Sequence, residues 1–94
     1  MCEGGTNRSV GLARVLKERG HDAISVSWRW NSLDTIKLLC GWVDYVVVME
    51  AYMKEKVPFA KQLLVCEVGP DRYNNPMHSE LLEQCTKFCL ENDW

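Results

Sequence analysis

The residues with chemistry in them stand at the front of the chain. Cys2-Glu3-Gly4-Gly5-Thr6-Asn7-Arg8-Ser9 sets a thiol and a guanidinium with five residues between them, and a hydroxyl directly after. Gly4 and Gly5 permit backbone angles that let successive N–H groups point inward around an anion. A helix starting near Ser9 would direct the positive end of its dipole at the same point. Arg8 offers a planar fork for two oxygens of a phosphate. A helix N-terminus and a nearby cation both favour the ionised form of a cysteine placed among them, and Ser9 can donate a hydrogen bond to it. The expectation is an anion-binding loop over residues 2–9 that presents Cys2 as a nucleophile to phosphorus. Donors of the loop (Gly4, Gly5, Thr6, Asn7, Ser9) would meet the equatorial oxygens.

Elements must hold this loop in place. Val10, Ala13 and Leu16 recur at helical spacing, and Gly20 supplies a stop, so a helix is expected over Val10 to Arg19. Ala23 to Val26 reads as a short strand. Ser32 reads as an N-cap, with Thr35 where a capping box has Glu, for a helix from Leu33 to about Gly41. The apolar run Tyr45 to Met49 is typical of a parallel strand buried on both faces. A short helix, Ala51 to Lys56, stops ahead of Pro58, and Gln62 to Val68 is a further buried strand broken by Gly69-Pro70-Asp71. The last helix is expected over Ser79 to Glu91, with Leu81, Leu82, Cys85, Phe88 and Cys89 on its inner stripe. Strand and helix alternate, the pattern of a small doubly wound parallel sheet flanked by helices, which binds ligands at the carboxyl ends of its strands.

The totals bound the rest. Ninety-four residues make a single domain, 1–94. A net charge of −2 gives no general attraction to nucleic acid or to an anionic membrane. No apolar run reaches the roughly 18 residues of a membrane span, and no signal peptide opens the chain, so a cytoplasmic location is expected. Five cysteines at irregular spacing fit reduced thiols better than a disulfide framework. Cys85 and Cys89 stand one helical turn apart, but neither histidine completes a zinc pattern, so no metal is expected. Cys40, Cys66, Cys85 and Cys89 read as small core residues.

Cysteine, five residues, arginine, then serine resembles the signature of the cysteine-based protein tyrosine phosphatases, and its place at the start of an α/β chain resembles the low-molecular-weight branch. The stretch Trp42 to Glu50 is similar to that branch's third strand and the acidic residue after it. Pro70-Asp71-Arg72-Tyr73 lies where the family keeps a general-acid aspartate followed by a tyrosine. The resemblance implies a phosphatase-I, flavodoxin-like fold and hydrolysis of phosphomonoesters without a cofactor. It implies Cys2 as nucleophile, Arg8 as phosphate clamp, Ser9 as thiolate stabiliser, and Asp71 as the acid that protonates the leaving oxygen and then activates water. Trp28, Trp30 and Tyr73 would wall the pocket.

Two features depart from that family. Gly5 and Asn7 stand where the branch has a loop-bracing asparagine and a second cysteine, which leaves Asn7 to brace the loop from a different position. Only Met1 precedes Cys2, whereas the family's first strand comes before the signature cysteine and occupies mid-sheet. Without it the neighbouring strands have unpaired facing edges. Three explanations stand: a chain started late relative to its gene product, a strand donated by a partner (which would make a homo-oligomer), or a closed-up sheet with the loop repurposed for binding.

Each feature also has a plainer reading. Asp71 after Pro70 suits a turn, Trp28 and Trp30 suit core packing or an oligomer contact, and His78 suits a capping neighbour. The two main functional readings are a phosphomonoester hydrolase working through a phosphocysteine, and a catalytically silent module that binds a phosphorylated small molecule, nucleotide or phosphoprotein. A thiol redox enzyme ranks third, because the other cysteines read as buried.

Overall fold

A computed structural model describes residues 1–2, 7–69, 73 and 75–94. The elements in chain order are α1 (Arg8–Glu18), α2 (Leu33–Trp42), β1 (Val46–Val48), a 3₁₀ helix (Ala51–Lys56), β2 (Leu63–Val65) and α3 (Ser79–Glu91). The result is a small mixed α/β protein around a two-stranded parallel sheet.

Local chemistry accounts for the helix ends. Gly20 follows α1 with φ of 93°, a left-handed conformation that costs glycine little, and its N–H donates to Lys17 C=O at 3.1 Å. The Ser32 hydroxyl accepts from Thr35 N–H at 3.2 Å at the start of α2. His78 Nδ1 accepts from Glu80 N–H at 3.2 Å at the start of α3. Ala51–Lys56 forms as the tighter 3₁₀ type, six residues closed off two positions ahead of Pro58.

β1 and β2 pair in the register Val46 with Leu63, Val47 with Leu64 and Val48 with Val65. Alternation of side chains across the pair then builds two cores. Val47 and Leu64 face a cluster of Leu12 and Val15 from α1 with Leu81, Cys85 and Cys89 from α3. Val46, Val48, Leu63 and Val65 face Ile36 and Cys40 of α2 and Met53 of the 3₁₀ helix. α1 and α3 pack closely, because Gly11 leaves no side chain between Leu81 and the Pro76 carbonyl.

Both expected buried strands form with fewer ladder residues than Tyr45 to Met49 and Gln62 to Val68. The expected strand Ala23 to Val26 is not one. In its place a single parallel bridge joins Cys2 to Ser27. Cys2 N–H donates to Val26 C=O at 3.3 Å, and Trp28 N–H donates to Cys2 C=O at 3.0 Å. On its other side the front of the chain lies against β1. The Met1 ammonium donates to Val47 C=O at 2.5 Å, and Met49 N–H donates to Met1 C=O at 3.0 Å. A strand exists only with a neighbour to bond. Among the described residues, the backbone bonds of this segment join Val26 and Trp28 to Cys2, and none reaches residues 23–25.

Candidate functional site

The site grows from Cys2 and the start of α1. Cys2 lies between the 26–28 segment and β1, and α1 begins six residues later at Arg8. Cys2 and Ser9 are both buried, with Cys2 Sγ 3.1 Å from Ser9 Oγ. The thiol and the hydroxyl therefore form a hydrogen-bonded pair at the first turn of α1, the positive end of the helix dipole.

Arg8, the first residue of α1, is only 3% exposed. Its Nη1 forms an ion pair with the Glu50 carboxylate and donates to Gly69 C=O at 3.3 Å. Glu50 stands two positions after β1, and Gly69 lies beyond β2, so the carboxyl ends of both strands converge on this guanidinium. Gly69 has φ of 83°, a turn that glycine takes without strain. Asn7 Nδ2 donates to Tyr73 C=O at 2.6 Å, which ties the end of the loop to the chain that follows β2. Gly69 and Tyr73, on either side of residues 70–72, are thus each bonded to a residue of the 2–9 region.

The other expected site residues fall in different places. Tyr73 is 1% exposed with its ring in the core and its hydroxyl donating to Val68 C=O at 2.7 Å. Trp28 packs on the cluster beneath α2, with the Lys56 ammonium 5.6 Å from its ring centre. Trp30 is 75% exposed, its N–H donating to Ser27 Oγ at 3.1 Å. Gly4, Gly5, Thr6 and Asp71 lie outside the described residues.

Burial acts on several groups nearby. It pulls the Met1 ammonium down from its ordinary 8.0 to about 6, with Cys2, Cys66 and Cys40 working the other way. The Cys66 thiol is pushed well up, first by its hydrogen bond with Cys85 and then by burial. Burial also raises Cys40 and Cys89. All five cysteines are buried, and none is in a disulfide. Among the described residues, no three His, Cys, Asp or Glu side chains converge as metal ligands would.

No protein family, curated protein or solved structure matches this chain. The site therefore speaks through its own geometry.

Two partners of Arg8 were not foreseen from the sequence. The sequence presents Glu50 only as the acidic residue after a strand and Gly69 only as a strand breaker. Their position supplied the available signal, since the residues that follow parallel strands are where such sheets gather ligand contacts. Nothing in the local sequence links Arg8 to a carboxylate 42 positions away.

Proposed function

We propose that this chain is a cysteine-dependent phosphomonoester hydrolase, similar to the low-molecular-weight protein tyrosine phosphatases. One observation carries the reading: a thiol and a hydroxyl 3.1 Å apart at the start of a helix whose first residue is a buried arginine. In the reaction, Cys2 Sγ attacks phosphorus and forms the S–P bond as the ester P–O bond breaks. Asp71 gives its proton to the leaving oxygen. It then takes a proton from the water that attacks the phosphocysteine, which releases inorganic phosphate and restores the thiolate. Arg8 and the backbone N–H groups of residues 4–7 hold the equatorial oxygens. The anchoring of residues 69 and 73 to Arg8 and Asn7 supports giving Asp71 this role. No cofactor is needed, and the substrate is a phosphorylated small molecule, nucleotide or phosphoprotein.

The fold reading that goes with it is a doubly wound, flavodoxin-like sheet in the order 26–28, Met1–Cys2, β1, β2. It is supported by the parallel bonds on both sides of Met1 and Cys2 and by helices on both faces of the β1–β2 pair.

A second reading, a silent phosphate-binding module, draws on the ion pair of Arg8 with Glu50, which neutralises the clamp that a substrate needs. One assay separates the two. The hydrolase should release phosphate from an aryl phosphate, and Cys2→Ser should abolish the release. Wild type no faster than the serine variant, with phosphate still raising the melting temperature, would leave the binding module.

A further inference from the structure

The solvent side of α2 is apolar where a surface helix is ordinarily polar. Leu38 and Trp42 stand one helical turn apart, 74% and 73% exposed, while Ile36 and Cys40 of the same helix face the core. Leu33 at the start of α2 is half-exposed, and the exposed Trp30 lies two positions ahead of the Ser32 cap. Exposed apolar residues scattered singly are ordinary, but two tryptophans and two leucines on one helix and its approach make a patch of the kind that marks an interaction surface.

The patch carries both halves of a helix contact. Asp34, Lys37, Leu38 and Gly41 are spaced i, i+3, i+4 and i+7, the four corners of a hole that receives a side chain from a facing helix. A Cβ on Gly41 would meet nothing within 4 Å, so one corner of the hole is open. Leu38 projects from the same face as a knob. A surface that offers a knob and a hole together meets the condition of a two-fold contact, in which one patch must fit itself.

Charge fixes the direction. Asp34 lies in the first turn of α2, and the Lys61 ammonium is held at the last turn, where it donates to Gly41 C=O at 2.8 Å. Two α2 helices crossed antiparallel about Leu38 set Asp34 of each opposite Trp42 of the other, beside Lys61, and the pair occurs twice by symmetry. Their dipoles also run opposed. A parallel crossing would set Asp34 against Asp34 and Lys61 against Lys61. At three-quarters exposure, Trp30, Leu38 and Trp42 offer on the order of 400 Å², half of the roughly 800 Å² that each partner buries in a standard interface. The polar residues between them widen the contact, which suits a reversible dimer.

We propose that the exposed face of α2 is a self-association surface, on which a second copy of this chain packs its own α2 antiparallel with Leu38 at the centre and Asp34–Lys61 pairs at both ends. The inference goes beyond the hydrolase reading and does not depend on chemistry at Cys2.

Sedimentation equilibrium of the whole chain tests it. Wild type should pass from monomer to dimer between about 1 μM and about 1 mM. Leu38→Glu and Trp42→Glu should each abolish the dimer, because a carboxylate would be buried without a partner. Both positions are exposed in the monomer, so melts of dilute protein should stay close to wild type and show that the fold is kept. Asp34→Lys and Lys61→Asp should each weaken association about three- to tenfold by setting like charges together at both ends. The double variant Asp34→Lys with Lys61→Asp should recover wild-type association, which apolar stickiness alone would not produce. A chain that stays monomeric at about 1 mM would leave this face to a different partner and overturn the proposal. A dimer that survives both glutamate variants would place the contact elsewhere and overturn it too. Failure of the double variant to recover would overturn the antiparallel pairing.

Discussion

Arg8 is held by two kinds of partner, a carboxylate and a carbonyl, and in the proposed reaction a phosphate must compete with both. Glu50 keeps the buried guanidinium compensated when no anion is bound, because an uncompensated buried charge is costly. Glu50→Gln should therefore lower stability by about 1–3 kcal/mol, the cost of depriving a buried donor of its charged acceptor, reduced because Glu50 is itself a quarter exposed. The same change removes the anion's competitor, so phosphate should bind more tightly to the variant. Calorimetric titration beside urea melts reads both effects, and weaker phosphate binding would show that Glu50 helps to hold the anion. Arg8→Lys should rescue little of the phosphate binding, because an ammonium cannot copy the fork. Asp71→Asn separates an acid from a turn former. On an ester with a poor leaving group it should cost ~10²–10⁴-fold in rate, and far less on an activated ester. Equal losses on the two esters would return Asp71 to the turn. Away from this scheme, the Cys66–Cys85 hydrogen bond and burial push the Cys66 thiol up, while the same hydrogen bond lowers Cys85.

Between α1 and α3 the packing turns on one missing side chain. A Cβ on Gly11 would come within 2.9 Å of Leu81 Cδ2 and 3.0 Å of the Pro76 carbonyl. Alanine improves helix propensity by up to about 1 kcal/mol, but crowding a packed interface costs about 1–3 kcal/mol, so Gly11→Ala should destabilise on balance. Gly41, in the last turn of α2, meets nothing within 4 Å, and Gly41→Ala should stabilise by about 0.4–1 kcal/mol. Thermal melts of the pair check both signs. Elements with a local cause were the legible ones. Ser79–Glu91 formed over the expected residues because its apolar stripe and its cap are written within thirteen consecutive positions. Ser32 capped α2 for the same reason. Ala23 to Val26 misleads because β character is only a fitness for pairing, and among the described residues the pairing is one bridge, Cys2 with Ser27. At the site, the Cys2–Ser9 pair was readable because seven positions and one helix start bring the two together. Glu50 and Gly69 reach Arg8 only through the tertiary fold.

At the scale of the whole molecule, the Met1 amine is buried and bonded to Val47 C=O of β1. In the unfolded chain this amine titrates near 8.0, and in the folded protein near 6. Between those values the unfolded state binds the proton and the folded state does not, so stability should rise with pH across this window. A shift of this size is worth about 2–3 kcal/mol, with the burial cost present in full below pH 6 and absent above pH 8. Urea melts from pH 5.5 to 8.5 read the slope, and N-terminal acetylation should remove this amine's share of it. An unchanged slope in the acetylated protein would assign the effect to other groups. Among the described residues, no helix is long and apolar enough to cross a membrane.

Trapping the phosphocysteine tests the proposed chemistry most directly. The protein is mixed with an aryl phosphate, quenched in acid within the first turnover, digested and examined by mass spectrometry. One phosphate should be found on the peptide that begins at Met1, attached through Cys2 sulfur and absent when Asn7, Arg8 and Ser9 are intact but Cys2 is replaced by alanine. Phosphate release by wild type with no label on Cys2, or release that the Cys2→Ala variant sustains at the same rate, would contradict it.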